Sequence, residues 1–104
     1  MLMCTTWKAR PLSPDQMDRM MAVWGKIEAD EAADASSERL CWFITGDGTS
    51  GFTVSSYSDP DAASARGLEM ALALGEFLEL EVRPVLDLDT AMPAILAAME
   101  RIKA

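Results

Sequence analysis

Two short motifs in this chain of 104 residues have the residue types and spacing of ligand sites. Gly46–Gly51 spells G-x-G-x-x-G, the spacing of a turn that holds the pyrophosphate of a dinucleotide. Such a turn must lead from a strand directly into a helix, because the helix N-terminus binds the phosphates. Here the third glycine is followed by residues 52–58, whose alternating side chains are typical of a strand. The motif therefore predicts a hairpin turn, with glycines supplying positive φ.

The second motif, Asp87-x-Asp89, offers two carboxylates to a calcium or magnesium ion. No further ligand pattern surrounds it, and Asp89 already has a structural role as a helix cap. The chain also has no histidine, which removes the usual general base and the commonest zinc ligand. We therefore predict no metal site, no cofactor and no nucleophile with its usual activating base.

The cysteines and tryptophans have structural explanations. Cys4 and Cys41 do not form a C-x-x-C pair and lie in apolar segments, so we predict free thiols in a cytoplasmic protein. Trp7, Trp24 and Trp42 could stack on a planar ligand. Each of them belongs to an apolar pattern, however, and is predicted to lie in the core.

The charge of the chain excludes some partners. Nine Lys and Arg residues face 17 Asp and Glu residues, which gives a formal net charge of −8. Such a surface repels phosphate backbones and anionic lipid, so we predict neither a nucleic-acid nor a membrane partner. No apolar run approaches the roughly 20 residues of a membrane span. Residues 26–38 hold five of the acids and predict a solvated helix end and loop.

Hydrophobic periodicity and capping residues predict four strands and three helices in a single domain, residues 1–104. The order βαββαβ with an extra C-terminal helix is that of the ferredoxin-like α+β sandwich, with strand order 4-1-3-2. Pro84 fits the edge position of the fourth strand. The predicted helices begin at Ser13-Pro14, at Asp59-Pro60 (ending near residue 79) and at Asp87. The predicted strands are residues 1–8, 39–45, 52–58 and 80–86.

Alternation within the strands separates two faces of the predicted sheet. The apolar set, which fits against the helices, comprises Leu40, Trp42, Ile44, Phe52, Val54, Leu80, Val82 and Leu86. The mixed set on the other face comprises Cys41, Phe43, Thr45, Thr53, Ser55, Tyr57, Glu81, Arg83 and Val85. Neither alternating set of side chains in the first strand is assigned to a face, because the two sets are similar in character. The mixed face is half suited to water and half suited to burial.

Several segments carry a family resemblance. They are the apolar first strand ending in Trp7-Lys8, the Gly-rich hairpin running into Gly51-Phe52, and Phe77–Val82 with Pro84–Asp87. Together they resemble the dimeric α/β-barrel superfamily, and more narrowly a family of small bacterial proteins known only as a domain of unknown function. The resemblance implies a homodimer in which two sheets pack together. It carries no activity over to this chain.

The mixed face also holds the polar side chains that have no evident structural role. We predict a small-molecule site there, with Arg83 suited to a carboxylate or another anionic group and with aromatic ligands as a further expectation. Its residues are Thr53, Ser55, Tyr57, Glu81, Arg83 and Cys41. Three function classes stay open: a small-molecule binder, a protein-interaction module using the acidic surface or the C-terminal helix, and a cofactor-independent oxygenase. The superfamily resemblance supplies the last of these.

Overall fold

The computed structural model describes residues 1–103, which form a four-stranded antiparallel sheet and three helices. Along the chain the elements are β1 (Leu2–Ala9), α1 (Pro14–Ala33), β2 (Ser37–Ile44), β3 (Ser50–Tyr57), α2 (Pro60–Leu74), β4 (Leu78–Val85) and α3 (Leu88–Lys103). The strands lie in the order β2-β3-β1-β4, so the predicted ferredoxin-like fold with a C-terminal helix is confirmed. Within residues 1–103, no helix combines the length and apolar character needed to cross a membrane.

Capping side chains begin the helices. At the start of α1, the N–H of Gln16 donates to Oγ of Ser13 at 3.2 Å, and the N–H of Ser13 donates to Oε1 of Gln16 at 2.9 Å. At α3, Asp87 rather than the predicted Asp89 is the cap, because the N–H of Thr90 donates to its carboxylate at 2.7 Å. These bonds satisfy first-turn amides that have no partner within the helix.

The glycine-rich motif is a hairpin turn, as predicted. Gly48 has a φ of 76°, a left-handed conformation that glycine adopts without strain. The hydroxyls of Thr45 and Thr49 donate to the carboxylate of Asp47 at 2.7 and 2.8 Å, and together with a backbone N–H they lower the pKa of Asp47 to about 2. Strand β3 begins at Ser50, so the third glycine leads into a strand and not into a helix.

The second helix is shorter than predicted. It ends at Leu74, with Gly75 as its C-terminal cap, because glycine has a low helix propensity. Phe77 is buried in the turn that follows, and Leu78 opens β4. Strand β4 accordingly begins two residues earlier than predicted, and strands β2 and β3 also begin two residues before their predicted starts.

The prediction of which residues of β3 face the helices is wrong. Residues directly opposite one another in antiparallel strands share a face. Thr53 lies opposite Thr5 on β1 and opposite Trp42 on β2, and all three line the space beneath the helices. Ser55 and Tyr57 alternate with Thr53 and face the same way. The sequence pattern favours the outer face for the polar residues of β3 because polar residues are normally excluded from a filled core, whereas here they line a cavity.

A β-bulge changes the pattern of β2. The register shifts between Arg39 and Cys41, so that Leu40 has no partner on β3. The extra residue turns Arg39 toward the helices together with Trp42, where strict alternation would have pointed Arg39 away.

The sheet face turned away from the helices, here called the open face, remains uncovered in the single chain. It includes Cys4, Thr6, Cys41, Phe43, Phe52, Val54, Ser56, Glu81 and Arg83. Phe43 and Phe52 are 60% and 40% exposed, with their rings 5.5 Å apart. Helix α3 also has no buried residue among those described. Its exposed apolar side chains are Leu88, Met92, Ile95, Leu96, Met99 and Ile102.

Candidate functional site

A cavity of about 250 Å³ lies between the sheet and the helices α1 and α2. Ala63 and Gly67 allow α2 to lie close to β4, where a Cβ at Gly67 would come within 2.9 Å of Cγ1 of Val82. The backbone of α1 approaches no strand as closely, so its long side chains span a wider gap and leave space between them. The lining residues Trp42 and Ile44, at the end of β2 near the β2–β3 hairpin, are 42% and 59% exposed.

Three hydroxyl groups lie on the floor of the cavity, on the adjacent strands β1 and β3. Thr5 and Ser55 are only 8% and 5% exposed, and Thr53 lies directly opposite Thr5. Within residues 1–103, no hydrogen bond joins any of these hydroxyls to another residue, yet none of them is sealed from the cavity. Buried polar groups normally have partners, so this floor can be satisfied by the polar atoms of a ligand.

All three tryptophans of the chain line the cavity. Trp24 and Trp42 meet edge to face, with ring centroids 5.3 Å apart. The indole of Trp7 lies against Gly51, where a Cβ would come within 2.6 Å of the ring. The sequence patterns predicted core positions for these side chains, and the structure arranges them around an unfilled space. Their faces offer a flat apolar surface to a planar molecule.

One wall of the cavity is an ion cluster that joins α1 to β2 and β3. The guanidinium of Arg39 donates to Glu28 at 2.6 and 3.0 Å and to Glu31 at 2.9 Å. Trp24 Nε1 donates to Glu28 at 3.0 Å, and the hydroxyl of Tyr57 donates to Glu31 at 3.2 Å. The cluster therefore fixes an indole and a phenol beside the cavity. Nε of Arg39 is buried without a partner among the described residues.

Glu28 and Arg39 keep their charges at neutral pH. Burial opposes the ionisation of Glu28, but hydrogen bonds from Arg39 and Trp24 outweigh it and hold the pKa of Glu28 below its ordinary value. The hydrogen bond to Glu28 is the main cause that raises the pKa of Arg39. A carboxylate with a lowered pKa and occupied oxygens is a weak general base. The cavity is thus better suited to binding than to proton abstraction.

Tyr57 is the only tyrosine, so its ionisation can be measured directly. Burial, followed by the negative charge of Glu31, raises the pKa of Tyr57 from 10.0 to about 12. Because the folded pKa is the higher one, the associated stability is present below pH 10 and is lost as the pH rises toward 12. We expect the phenolate absorbance of the folded protein to titrate with a midpoint near pH 12. Glu31→Gln, which keeps an acceptor and removes the charge, lowers that midpoint; a wild-type midpoint near 10 would contradict this geometry.

The six residues predicted from the sequence to form a ligand site do not share one face, and that part of the prediction is wrong. Those that line the cavity are Thr53, Ser55 and Tyr57. Those on the open face are Cys41, Glu81 and Arg83. Arg83 pairs with Glu81 at 2.6 Å, with side chains 69% and 62% exposed. The division follows from the phase of β3, which places its polar residues under the helices.

Sequence reasoning missed Glu28, Glu31 and Arg39, which form the cavity wall. Residues 26–38 were predicted to be solvated, but the side chain of Glu31 is only 13% exposed. Trp24, Glu28 and Glu31 follow one another at i, i+4 and i+7, so helical spacing continues the buried stripe of α1 through both carboxylates. This spacing was the available indication. No sequence pattern indicated that Arg39 faces the cavity, because the bulge turns its side chain to the opposite face of the sheet.

Solved structures share this fold. The Rv0793 protein of Mycobacterium tuberculosis is similar with a TM-score of 0.54 and 16% identity, over 84% of this chain and 97% of that one. SnoaB of Streptomyces nogalater, a cofactor-independent oxygenase, is similar with a TM-score of 0.54 and 15% identity, over 83% and 92% of the two chains. Identities this low show the fold alone. No protein-family model matches the sequence, and no curated protein matches it significantly.

Proposed function

We propose that this protein binds a small organic molecule in the cavity between its sheet and its helices. The observation that carries the proposal is the gathering of all three indoles around a space of about 250 Å³ that the core leaves unfilled. A cavity of about 150 Å³ is enough to hold benzene, so two fused rings are a reasonable size for an occupant. The floor adds convergent hydroxyls to apolar walls, which is the usual composition of a ligand pocket.

Native mass spectrometry of freshly purified protein tests this proposal. We expect a retained small molecule on the folded wild-type chain. Thr53→Phe puts a ring into the cavity and should abolish retention, whereas Arg83→Ala on the open face should leave it unchanged. Retention that survives Thr53→Phe and disappears with Arg83→Ala would place the ligand on the open face and refute the cavity.

A second candidate is a cofactor-independent oxygenase, the activity that the SnoaB description gives for that protein. An activated aromatic substrate can supply the electrons that reduce oxygen, so the enzyme need only provide an enclosed pocket with a few polar groups. The aromatic lining of the cavity supports this function, and the weak basicity of Glu28 ranks it below simple binding. Oxygen uptake with a dihydroxynaphthalene as probe tests it: the rate should exceed the uncatalysed rate and fall with Thr53→Phe.

We also propose that the chain forms a homodimer. The exposed Phe43–Phe52 pair on the open face and the apolar side chains of α3 form surfaces larger than isolated exposed hydrophobic residues. A second copy of the chain presents the same two surfaces and can bury both, as a two-fold interface requires. Light scattering at micromolar concentration should give about twice the chain mass of 11.3 kDa. A monomer would instead favour an interaction module that uses α3 or the acidic surface for a different protein.

A cytoplasmic location is proposed from the two free thiols. Cys4 and Cys41 lie opposite the same residue, Val54, on the two sides of β3. Two strand spacings, about 10 Å, therefore separate their Cα atoms. This exceeds the limit of about 7 Å for a disulfide, so oxidation should produce no internal bridge.

A further inference from the structure

We infer that the ligand of the cavity is uncharged and that the hydroxyls of Thr5 and Ser55 orient it by hydrogen bonding to an oxygen on its edge. This inference rests on the proposed binding function and goes further, because it names the chemical class of the ligand and the residues that select it.

The first argument concerns the two hydroxyls. Thr5 and Ser55 are more than nine-tenths buried, and they are diagonal neighbours on adjacent strands, two residues out of register, because Met3 is the direct partner of Ser55 and Thr53 is that of Thr5. Both line the cavity and have no hydrogen-bond partner within residues 1–103. A hydroxyl can donate and accept, so the pair suits a ligand hydroxyl or carbonyl oxygen. Apolar side chains of similar size would have filled these positions without an unmet hydrogen bond.

The second argument concerns charge. Arg39 already donates to two carboxylates through both of its terminal nitrogens, so this pair of nitrogens is not free to bind the two oxygens of an anionic ligand. All four oxygens of Glu28 and Glu31 accept hydrogen bonds from Arg39, Trp24 or Tyr57, so neither carboxylate is free for a cation. The cluster sums to one negative charge, which repels an anion.

The remaining lining cation is at the edge of the cavity. Arg10 donates to the carbonyl of Gly75 at 3.2 Å and lies 3.7 Å from Glu79, with its side chain 47% exposed. A solvated, paired guanidinium gives little affinity to an anion inside the pocket. These contacts revise the expectation of an anionic ligand, which rested on Arg83, a residue of the open face.

The experiment compares three two-ring probes: 2-naphthol, which is neutral at pH 7, naphthalene, which lacks the oxygen, and 2-naphthoate, which is an anion. Quenching of tryptophan fluorescence reports binding, since all three indoles line the cavity. The test variant is Thr5→Val with Ser55→Ala, which removes both hydroxyls. The matched control is Thr6→Val with Ser56→Ala, the next positions on the same strands, which face the open side.

In the test variant, 2-naphthol should bind about tenfold more weakly, as expected for the loss of two neutral hydrogen bonds, while naphthalene binding stays unchanged or strengthens. The control variant should bind both probes as the wild type does, and 2-naphthoate should bind more weakly than 2-naphthol throughout. The single variants, each with a loss of about threefold, replace the double variant if it does not fold by circular dichroism.

The other outcomes separate the two proposals. An equal loss for naphthalene and 2-naphthol, or an equal loss in the control variant, overturns the role of the hydroxyls and leaves cavity binding intact. Tighter binding of 2-naphthoate than of 2-naphthol overturns the uncharged class. No binding of any probe to the wild-type protein at millimolar concentration overturns both the inference and the proposed function.

Discussion

Gly51→Ala should destabilise the fold by about 2–3 kcal/mol, because a side chain at this position meets neighbours on both sides. A Cβ there would collide with the backbone carbonyl of Phe43 and come within 2.6 Å of the Trp7 indole. The carbonyl belongs to the β2–β3 ladder and cannot move without breaking it. Trp7 must therefore swing away, and the cavity loses one of its aromatic walls. Chemical denaturation measures the free energy of unfolding, and the probe 2-naphthol measures the effect on binding.

Gly25→Ala is the matched control for this substitution. Gly25 lies within α1, and nothing stands within 4 Å of a Cβ built there. Alanine favours helix over glycine by about 1 kcal/mol, so the control should be neutral or stabilising. If Gly51→Ala proves as harmless as Gly25→Ala, the packing of Trp7 against β3 is wrong.

Arg39→Leu should cost about 2–3 kcal/mol and is the second large effect. It leaves Glu28 and Glu31 charged, close together and without their cation, with side chains 35% and 13% exposed. Breaking a fully buried pair costs about 3–5 kcal/mol, and the partial exposure of Glu28 reduces this value. Arg39 also stacks on Trp42, with the guanidinium 4.7 Å from the ring centroid, so an aromatic wall loses support as well.

The pH dependence distinguishes lost charge from lost packing. Since the pKa of Glu28 is lowered in the folded wild type, the stability gained from its pairing is present above its ordinary pKa of 4.5 and is lost as the pH falls below it. The gap between wild type and Arg39→Leu should therefore narrow below about pH 4. Arg83→Leu, on the exposed pair with Glu81, should change stability by less than about 0.5 kcal/mol at any pH. Equal effects at the two arginines would contradict the buried cluster.

Much of the fold could be predicted because local chemistry determines it. The Ser13 capping box, the glycines before β3 and the edge position of Pro84 each have a short-range physical cause, and the structure contains all three. Errors arose where contacts between distant parts of the chain determine the local conformation. The bulge beside Leu40 turns Arg39 toward the helices, because tertiary packing selects among conformations that the local sequence allows.

The candidate site was harder to predict, since a cavity inverts the rule that relates polarity to exposure. The sequence indicates that Thr53, Ser55 and Tyr57 are polar residues without a structural role, yet that same polarity favours the outer face, whereas the three residues line the cavity. The space between α1 and the sheet depends on how far the helix stands from the strands, which no periodicity encodes. Glu28 continued the buried stripe of α1, but its charge suggested solvent.

The most direct test of the cavity is the NMR spectrum of the three indole N–H groups during titration with 2-naphthol. Trp7, Trp24 and Trp42 come from β1, α1 and β2 and meet only around this space, so each is a reporter at one wall. We expect all three indole signals to shift together with the amide signals of Thr5 and Ser55, while those of Val54 and Arg83 stay in place. Shifts confined to Val54, Arg83 and the rest of the open face, with unmoved indoles, would contradict the account.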